Sequence, residues 1–544
     1  MAKVVEEEKR ISGSSSVLKG TAIIGAAGII VKILGAIFRI PLTNWIGSIG
    51  MSYYQVAYNI YNALVIMAIA GFPVAVSKLV SENVAKKRYG NAHKVFKTAA
   101  TLMAVIGGVS AGVCFFGADI LTARIGNPDA ALAVRSIAPA LLFVPLVSSF
   151  RGFFQGRQNM SPTAISEVIE QFFRVMVGFI LARVFLSVGL PQTAAGASFG
   201  ATIGSICALA FMGLVYVMHK QIIRREISRG EDYYEDTKTL VKKILGIAIP
   251  IIIGAEVIPI MYAIDMSIIM NRLQATGWSM DESQHLYGLM SGYCNSLINL
   301  PEFLIQAIAI SMVPAISHAA AKKDKQNVES SVAAGYKLTT LIAFPCMVGL
   351  MVLAKPIFML LYPSKIDEAM EAIPTFLLMA VSIVTVAMYE TSTGALQAVG
   401  KQVIPMRNVG VSAVIKVILT YILVGIRSIN LNGAAISSIV AFFLAFILNE
   451  IAVKKYTGVH IKLKDTYLKP GIASLVMGVC AYGVYRLLAL VLGARIAVLI
   501  AVLAGAGVYA VLVVALRIAE PEDIAAVPYG HKLNKLINKF VKWE

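Results

Sequence analysis

The 544-residue chain is 58% hydrophobic and only 14% charged, with a mean hydropathy of +0.76, whereas ordinary soluble domains carry roughly 25% charged residues. That composition excludes a soluble globular enzyme and indicates an integral membrane protein. The formal net charge of +18 would suggest nucleic acid in a soluble protein, but here Lys and Arg crowd into alternate polar connections, the positive-inside pattern, so no nucleic-acid partner is expected.

Crossing about 30 Å of hydrocarbon takes roughly 20 apolar residues, and fourteen such stretches follow one another along the chain. Residues 1–19 contain the acidic cluster Glu6, Glu7 and Glu8 and lack the apolar region and cleavage site of a signal peptide, so they read as a cytoplasmic tail. Spans 1 to 6 are expected at 20–43, 54–77, 98–117, 131–150, 164–186 and 192–218, making a first lobe over 20–218. Span 1 holds Lys32 and Arg39, seven residues apart and so on one helical face, and Pro41 is expected to kink or end that helix. Span 2 carries Tyr54, Tyr58, Asn59, Tyr61 and Asn62, which either line a polar cavity or form an interfacial aromatic belt. Span 5 holds Glu167, Glu170 and Arg174 in one stripe, with Glu170 placed to neutralise part of Arg174.

A cytoplasmic linker, 219–243, leads to spans 7 to 12 at 244–270, 285–316, 334–354, 369–396, 403–426 and 430–452, a second lobe over 244–452. Span 7 places Glu256 and Asp265 around Pro259, which is expected to break the helix and expose carbonyls as in cation-coupled carriers. Glu302, Glu390 and Lys416 stand as isolated charges in spans 8, 10 and 11. Spans 13 and 14, at 470–491 and 494–516, occupy the segment 453–516, and 517–544 form a second tail. An even number of spans puts both tails in the cytoplasm. The basic segments "KKRYGNAHKVFK" and "QIIRREISRG" read as topology anchors touching anionic lipid.

Ionisable groups at mid-bilayer cost at least a few kcal/mol and therefore normally face a cavity. Arg39 and Arg174, with Asn59 and Asn62, are the candidates for binding an anionic substrate, since guanidinium binds phosphate in bidentate fashion. Glu256, Asp265 and Glu390 are the candidates for coupling to Na+ or H+.

The chain also repeats itself. "GFFQGRQNMSP" from Gly152 returns as "GALQAVGKQVIP" from Gly394, with Gly156 matched to Gly400 and Pro162 to Pro405. "GFPVAVSKL" around Pro73 returns as "SMVPAISHA" around Pro314, and "TAAGASFGATIGS" around Gly196 as "LNGAAISSIV" around Gly433. Six spans per copy is an even number, so the copies enter the membrane in the same sense, a parallel repeat about a pseudo-twofold axis along the membrane normal. The repeated phrase is then the turn between the fourth and fifth spans of each lobe.

No G-x-x-x-x-G-K-[ST] loop, nucleophile elbow, H-E-x-x-H or C-x-x-C spacing occurs, so neither ATP hydrolysis through a P-loop, nor a catalytic constellation, nor a metal cofactor is expected. The single cysteines Cys114, Cys207, Cys294, Cys346 and Cys480 read as small core residues.

Two six-helix lobes plus two helices, with "GAIFRIPLTNWIG" in span 1 and "GFFQGRQNMSP" after span 4, resemble the multidrug/oligosaccharidyl-lipid/polysaccharide exporter superfamily. The likeness is to the branch holding stage V sporulation protein B and the MurJ-type lipid II flippases. It implies flipping of a polyprenyl-diphosphate-linked peptidoglycan precursor, lipid II, to the outer leaflet by alternating access in the bacterial cytoplasmic membrane. It further implies an Arg of span 1 meeting the diphosphate, which corresponds to Arg39, a family acidic position at Asp265, a groove for the lipid tail on the last two helices, and partnership with the cell-wall synthesis machinery. The chain departs from the Gram-negative pattern, with Ile40 where an Asp follows the Arg and Asn62 near the place of another Arg. Flipping of another lipid-linked polysaccharide unit or cation-coupled multidrug export are the alternatives, with a membrane enzyme or scaffold more remote.

Overall fold

The computed structural model describes residues 2–518 other than 232, with side chains from residue 25 onward except 26 and 29. The side chains of the N-terminal tail and the C-terminal tail beyond Ile518 lie outside the described residues. Among those described, every regular element is a helix, as it must be where no water is present to satisfy backbone groups.

Twelve helical segments are long and apolar enough to cross a membrane. Two places separate that number from fourteen. Ile30–Ala85 is a single apolar run of 56 residues, and the helix Ser161–Phe185 carries Glu167, Glu170, Arg174 and Arg183, too many charges to qualify by composition.

The chain divides into two compact units, residues 1–274 with Trp278–Gly288, and Ala275–Gly277 with everything from Leu289. The first contains helices α1 (Ala2–Ala70), α2 (Phe72–Ala85), α3 (Tyr89–Phe116), α4 (Ala118–Ile125), α5 (Ala131–Ile137), α6 (Ala140–Gly156), α7 (Ser161–Phe185), α8 (Leu190–Arg229), α9 (Thr237–Ala275) and α10 (Met280–Gly288). The expected kink at Pro41 is instead at Gly47, where φ is 63°, and the helix runs on through Pro41. A straight helix would hold residues 38 and 54 about 24 Å apart, yet the rings of Phe38 and Tyr54 have centroids separated by 6.0 Å. The chain therefore folds back at Gly47, the one residue there that takes a left-handed φ without a Cβ penalty.

Helix α9, which the duplication assigns to the second lobe, packs in the first unit. Its Leu240, Ile244 and Ala248 join Phe72, Val76, Phe96, Met103 and Phe153 in one buried core, and Gly71 lies so close beneath it that a Cβ would stand 2.5 Å from the Ala248 carbonyl oxygen. Contacts of Glu231 and residues 233–236 deliver α9 to this position. Arg88 pairs with Glu231 at 3.0 Å and stacks over Tyr233. Asn91 accepts from the Glu235 backbone N–H at 3.0 Å, and Lys243 pairs with Glu235 at 2.6 Å. Arg157 pairs with Glu226 at 2.6 Å. The basic segments read as lipid anchors thus spend Arg88 and Lys94, which donates to the Glu235 carbonyl at 2.5 Å, on the protein's own linker. Nor does Pro259 break its helix: α9 continues from Thr237 to Ala275 through both Pro250 and Pro259.

Helices α7 and α8 pack along a glycine seam. A Cβ on Gly200 would collide with the carbonyl oxygen of Arg174, and one on Gly204 with that of Glu170, the small-residue approach by which helices associate in lipid. Helix α3 exposes Val105, Val109, Val113 and Phe116 in a stripe suited to hydrocarbon.

The second unit contains α11 (Asn295–Ala321), α12 (Lys325–Val352), α13 (Ala354–Leu361), α14 (Ile366–Glu371), α15 (Ile373–Ala398), α16 (Val403–Val424), α17 (Asn432–Thr457), α18 (Lys469–Leu492) and α19 (Ala494–Ala515). Tyr293, Phe358, Tyr362 and Phe376 form edge-on aromatic pairs at its centre. Helices α18 and α19 attach through Ala481 and Ala501 against Leu353. Cys114 and Cys294 are buried as expected of core residues, but Cys480 on α18 is exposed.

The order α12 to α17 repeats α3 to α8, including a one-turn 3₁₀ segment, Pro128–Ala130 and Pro363–Lys365, before the third helix of each series. The duplicated turn is also built from the same bonds. Gln158 N–H donates to the Gln155 carbonyl and Asn159 N–H to that of Phe154, while Gly400 N–H donates to Gln397 and Lys401 N–H to Leu396. This is a Schellman cap, whose key residue is left-handed: Gln158 at φ 60° in one copy and Gly400 at φ 74° in the other. The structural equivalent of Gly400 is thus Gln158 and not Gly156.

A left-handed non-glycine residue costs roughly 1–2 kcal/mol. Gln158→Gly is therefore expected to raise the thermal unfolding midpoint in detergent and Gly400→Gln to lower it, by about 1 kcal/mol each; equal midpoints for both variants would contradict the cap assignment. Gly204→Val should lower the midpoint further, by about 1–3 kcal/mol of overpacking.

Candidate functional site

The fold-back at Gly47 sets the two halves of α1 side by side, and α7 lies against them. Arg39 from the first half and Arg174 from α7 converge on one aromatic ring: their guanidinium carbons lie 5.3 Å and 5.1 Å from the centroid of Tyr58. Tyr54, Tyr58 and Tyr61 sit three and four residues apart and so form one stripe. Tyr54 and Tyr58 stack at 6.1 Å, Tyr58 and Tyr61 are 6.2 Å apart, and Arg174 also approaches Tyr61 at 5.6 Å. The residues expected either to line a cavity or to form an interfacial belt are thus an aromatic bed for two cations. Cation–π contacts of this kind contribute about 0.5–2 kcal/mol, more as water is excluded.

The expected neutralisation of Arg174 by Glu170 is replaced by another pairing. Glu170 bonds Arg151 at 2.9 Å, and Arg151 also donates to the Ser166 hydroxyl at 2.9 Å. Glu170 still acts on Arg174 through space, but among the described residues neither Arg39 nor Arg174 forms an ion pair. One terminal nitrogen of Arg174 is buried with no acceptor, an omission that typically costs about 1–3 kcal/mol. Sequence reasoning passed over Arg151 because it stands at the start of the repeated turn, where a basic residue reads as an anchor. Thr393, at the equivalent place in the second copy, marks that charge as particular to the first lobe.

Asn59 is committed to a bridge. Gln55 donates to its oxygen at 2.8 Å, and its amide donates to the Tyr287 hydroxyl at 3.0 Å, tying α1 to α10. Asn62 makes no side-chain hydrogen bond among the described residues. Tyr287, another residue without a sequence signal, lies within electrostatic reach of both Asp265 and Arg39. It links the arginine cluster to α9.

The acidic candidates fall in three places. Glu256 and Asp265 are both buried, 4% and 7% exposed, but on an uninterrupted α9 nine residues separate them by about 14 Å, so they do not hold one ion together. Among the described residues neither carboxylate oxygen of Glu256 has a hydrogen-bond partner of normal geometry, the Met67 backbone being a polar neighbour, whereas Asp265 is engaged. Glu390 belongs to the second unit, where Glu302 lies within electrostatic reach. Lys416 is fully buried and not without partners, so it is no isolated charge. Among the described residues no three His, Cys, Asp or Glu side chains gather as a metal site.

The second unit also carries an open-sided pocket of about 550 Å³. Val384, Met388, Phe443 and Phe446 form an apolar wall, and Glu450, Lys454 and Tyr467 a polar rim. Glu450 accepts from the Tyr336 hydroxyl at 2.7 Å. A pocket of this size and lining suits a ligand with an apolar body.

The sequence profile of the family described as "Polysaccharide biosynthesis protein" matches residues 17–320, and that of MatE matches 291–422. The chain is 24% identical over 515 residues to stage V sporulation protein B of Bacillus subtilis (strain 168), covering 94% of this chain and 97% of that protein. It is 25% identical over 520 residues to the lipid II flippase MurJ of the same organism, covering 91% and 94%. In three dimensions it resembles a lipid II flippase MurJ in an inward closed conformation, with a TM-score of 0.66, 17% identity and coverage of 90% and 98%.

The pairing of Glu170 with Arg151 has a checkable consequence. Glu170→Ala strands a largely buried guanidinium and is expected to lower membrane abundance and thermal stability by about 3–5 kcal/mol, with much of the loss recovered in Glu170→Ala/Arg151→Met. A double variant no more stable than the single would show that the pair does not act as a unit.

Proposed function

Because the chain belongs to the polysaccharide biosynthesis protein family of the multidrug/oligosaccharidyl-lipid/polysaccharide exporter superfamily, whose members include flippases and transporters, we propose that it flips lipid II, a polyprenyl-diphosphate-linked peptidoglycan precursor, from the cytoplasmic to the outer leaflet. The observation that carries this reading is the pair of guanidiniums, Arg39 and Arg174, gathered on Tyr58 with no carboxylate bonded to either among the described residues. Two such cations side by side favour a concentrated anion, and the diphosphate is where this substrate concentrates its charge. Asn62, one turn beyond Tyr58 on α1, and Asn59, bonded to Tyr287, complete the proposed substrate-binding set.

In this reading the chain crosses the bacterial cytoplasmic membrane fourteen times with both termini inside, the 56-residue run from Ile30 counting as two crossings and α7 as one. The apolar pocket of the second unit, beside the segment that leads into α18, receives part of the lipid tail. Alternating access is driven by Na+ or H+ through Glu256, Asp265 and Glu390, acting at separate points along the transport cycle. The buried, unbonded carboxylate of Glu256 is the member of the three best suited to exchange a proton. Cell-wall synthesis enzymes on the outer face are the natural recipients of the product.

Flipping of a different lipid-linked polysaccharide unit uses the same diphosphate and the same arginines. A drug exporter that carries organic cations is disfavoured, because Arg39 and Arg174 repel them.

Depletion in living cells should cause lipid II to accumulate on the cytoplasmic leaflet; accumulation of another lipid-linked glycan instead reassigns the substrate. Arg39→Ala is expected to reduce flipping at least tenfold with normal membrane abundance, since its loss removes a contact worth more than about 1.4 kcal/mol to the bound diphosphate. Arg39→Lys should keep part of the activity, having charge without the bidentate fork. A fully active, normally abundant Arg39→Ala protein sinks the proposed site.

A further inference from the structure

We propose that Tyr58 is a positioning residue that holds Arg39 and Arg174 as a matched pair and so selects a diphosphate over a single phosphate. The inference rests on the flippase reading above and deepens it.

Three observations converge on this ring. Both guanidinium carbons lie within 5.3 Å of its centroid, so they can be no further apart than those two distances combined. The two arginines come from different helices, α1 and α7, and like charges brought together repel; a shared aromatic ring, whose face is electron-rich, offsets that repulsion. The ring is itself fixed, stacked on the buried Tyr54 with planes 15° apart and flanked by the buried Tyr61. The Tyr58 hydroxyl, by contrast, makes no hydrogen bond among the described residues, so the ring and not the hydroxyl does the positioning. One buried terminal nitrogen of Arg174 has no acceptor among the described residues, a donor that an anion could use.

A single phosphate engages one guanidinium fork and leaves the other cation uncompensated. Two linked phosphates engage both, and because Tyr58 has already ordered the arginines, the second contact forms without the usual loss of side-chain freedom. Selectivity for the diphosphate is then set by how rigidly the pair is held.

The test uses the full-length protein in detergent, with inorganic pyrophosphate and inorganic phosphate as calorimetric probes. Wild type is expected to prefer pyrophosphate. Tyr58→Phe keeps the ring and should hold that preference within about twofold, whereas Tyr58→Leu should lose about tenfold in pyrophosphate affinity, the equivalent of cation–π contacts to two guanidiniums, with phosphate affinity little changed. A merely structural role would weaken both probes alike. Should Tyr58→Leu fail to fold, Tyr58→Met, unbranched and also without a ring, carries the same comparison. A ring-less variant with wild-type selectivity, in a protein where Arg39→Ala and Arg174→Ala each lose pyrophosphate binding, overturns the role of Tyr58 and leaves the site standing. Wild-type pyrophosphate binding in both arginine variants overturns the site itself.

Discussion

Hydrocarbon accepts and donates no hydrogen bonds, and the architecture follows from that constraint. Among the described residues every regular element is a helix, and charged side chains within the apolar segments find their compensation mainly inside the protein. Arg151 does so with Glu170 and Ser166. Arg39 and Arg174 do so with the faces of tyrosines. An aromatic ring compensates a cation only in part, which leaves these two cations available to a stronger anion. A carboxylate in the same place would have neutralised them permanently.

The first unit achieves this with local devices, each visible in one or two residues. Gly47 turns α1 back on itself, so that Arg39 faces Tyr58 in place of lying some 28 Å along a straight rod from it. Gly200 and Gly204 let the α8 backbone close onto α7, fixing the height of Arg174 against α1. Replacing any of these glycines would displace a guanidinium without touching it.

The all-helical character and the approximate spans could be read from the sequence, and so could the presence of charge at Arg39 and Arg174, because apolar run length and residue type are local properties. The partners of those charges could not. Glu170 is four residues from Arg174, the spacing at which helical neighbours pair, yet it bonds Arg151 from α6, and nothing in the sequence ranks one partner above the other. The position of the α1 break was misjudged because Pro signals a lost backbone bond, which a helix can absorb at Pro41, while the reversal requires a positive φ, which Gly47 supplies. The repeat itself aligned Gly156 with Gly400 by residue identity, whereas the hydrogen bonds equate Gln158 with Gly400. The allegiance of α9 was hidden for a similar reason, since sequence duplication records ancestry and packing records apolar contact.

That allegiance bears on biogenesis. Helices inserted one after another from the N-terminus would complete a first lobe of six spans well before the midpoint of synthesis if the lobes followed the duplication. Here the buried core of the first unit includes Leu240, Ile244 and Ala248, and its polar contacts extend to Gln284 and His285, bonded to Tyr53 and Ser48 at 3.1 Å and 2.6 Å. The early helices must therefore wait, inserted but not locked, until more than half of the chain has emerged. The contacts of Glu231 and Glu235 with Arg88 and Asn91 precede α9 in the chain, so the linker can be tied to the early helices before their last partner is made.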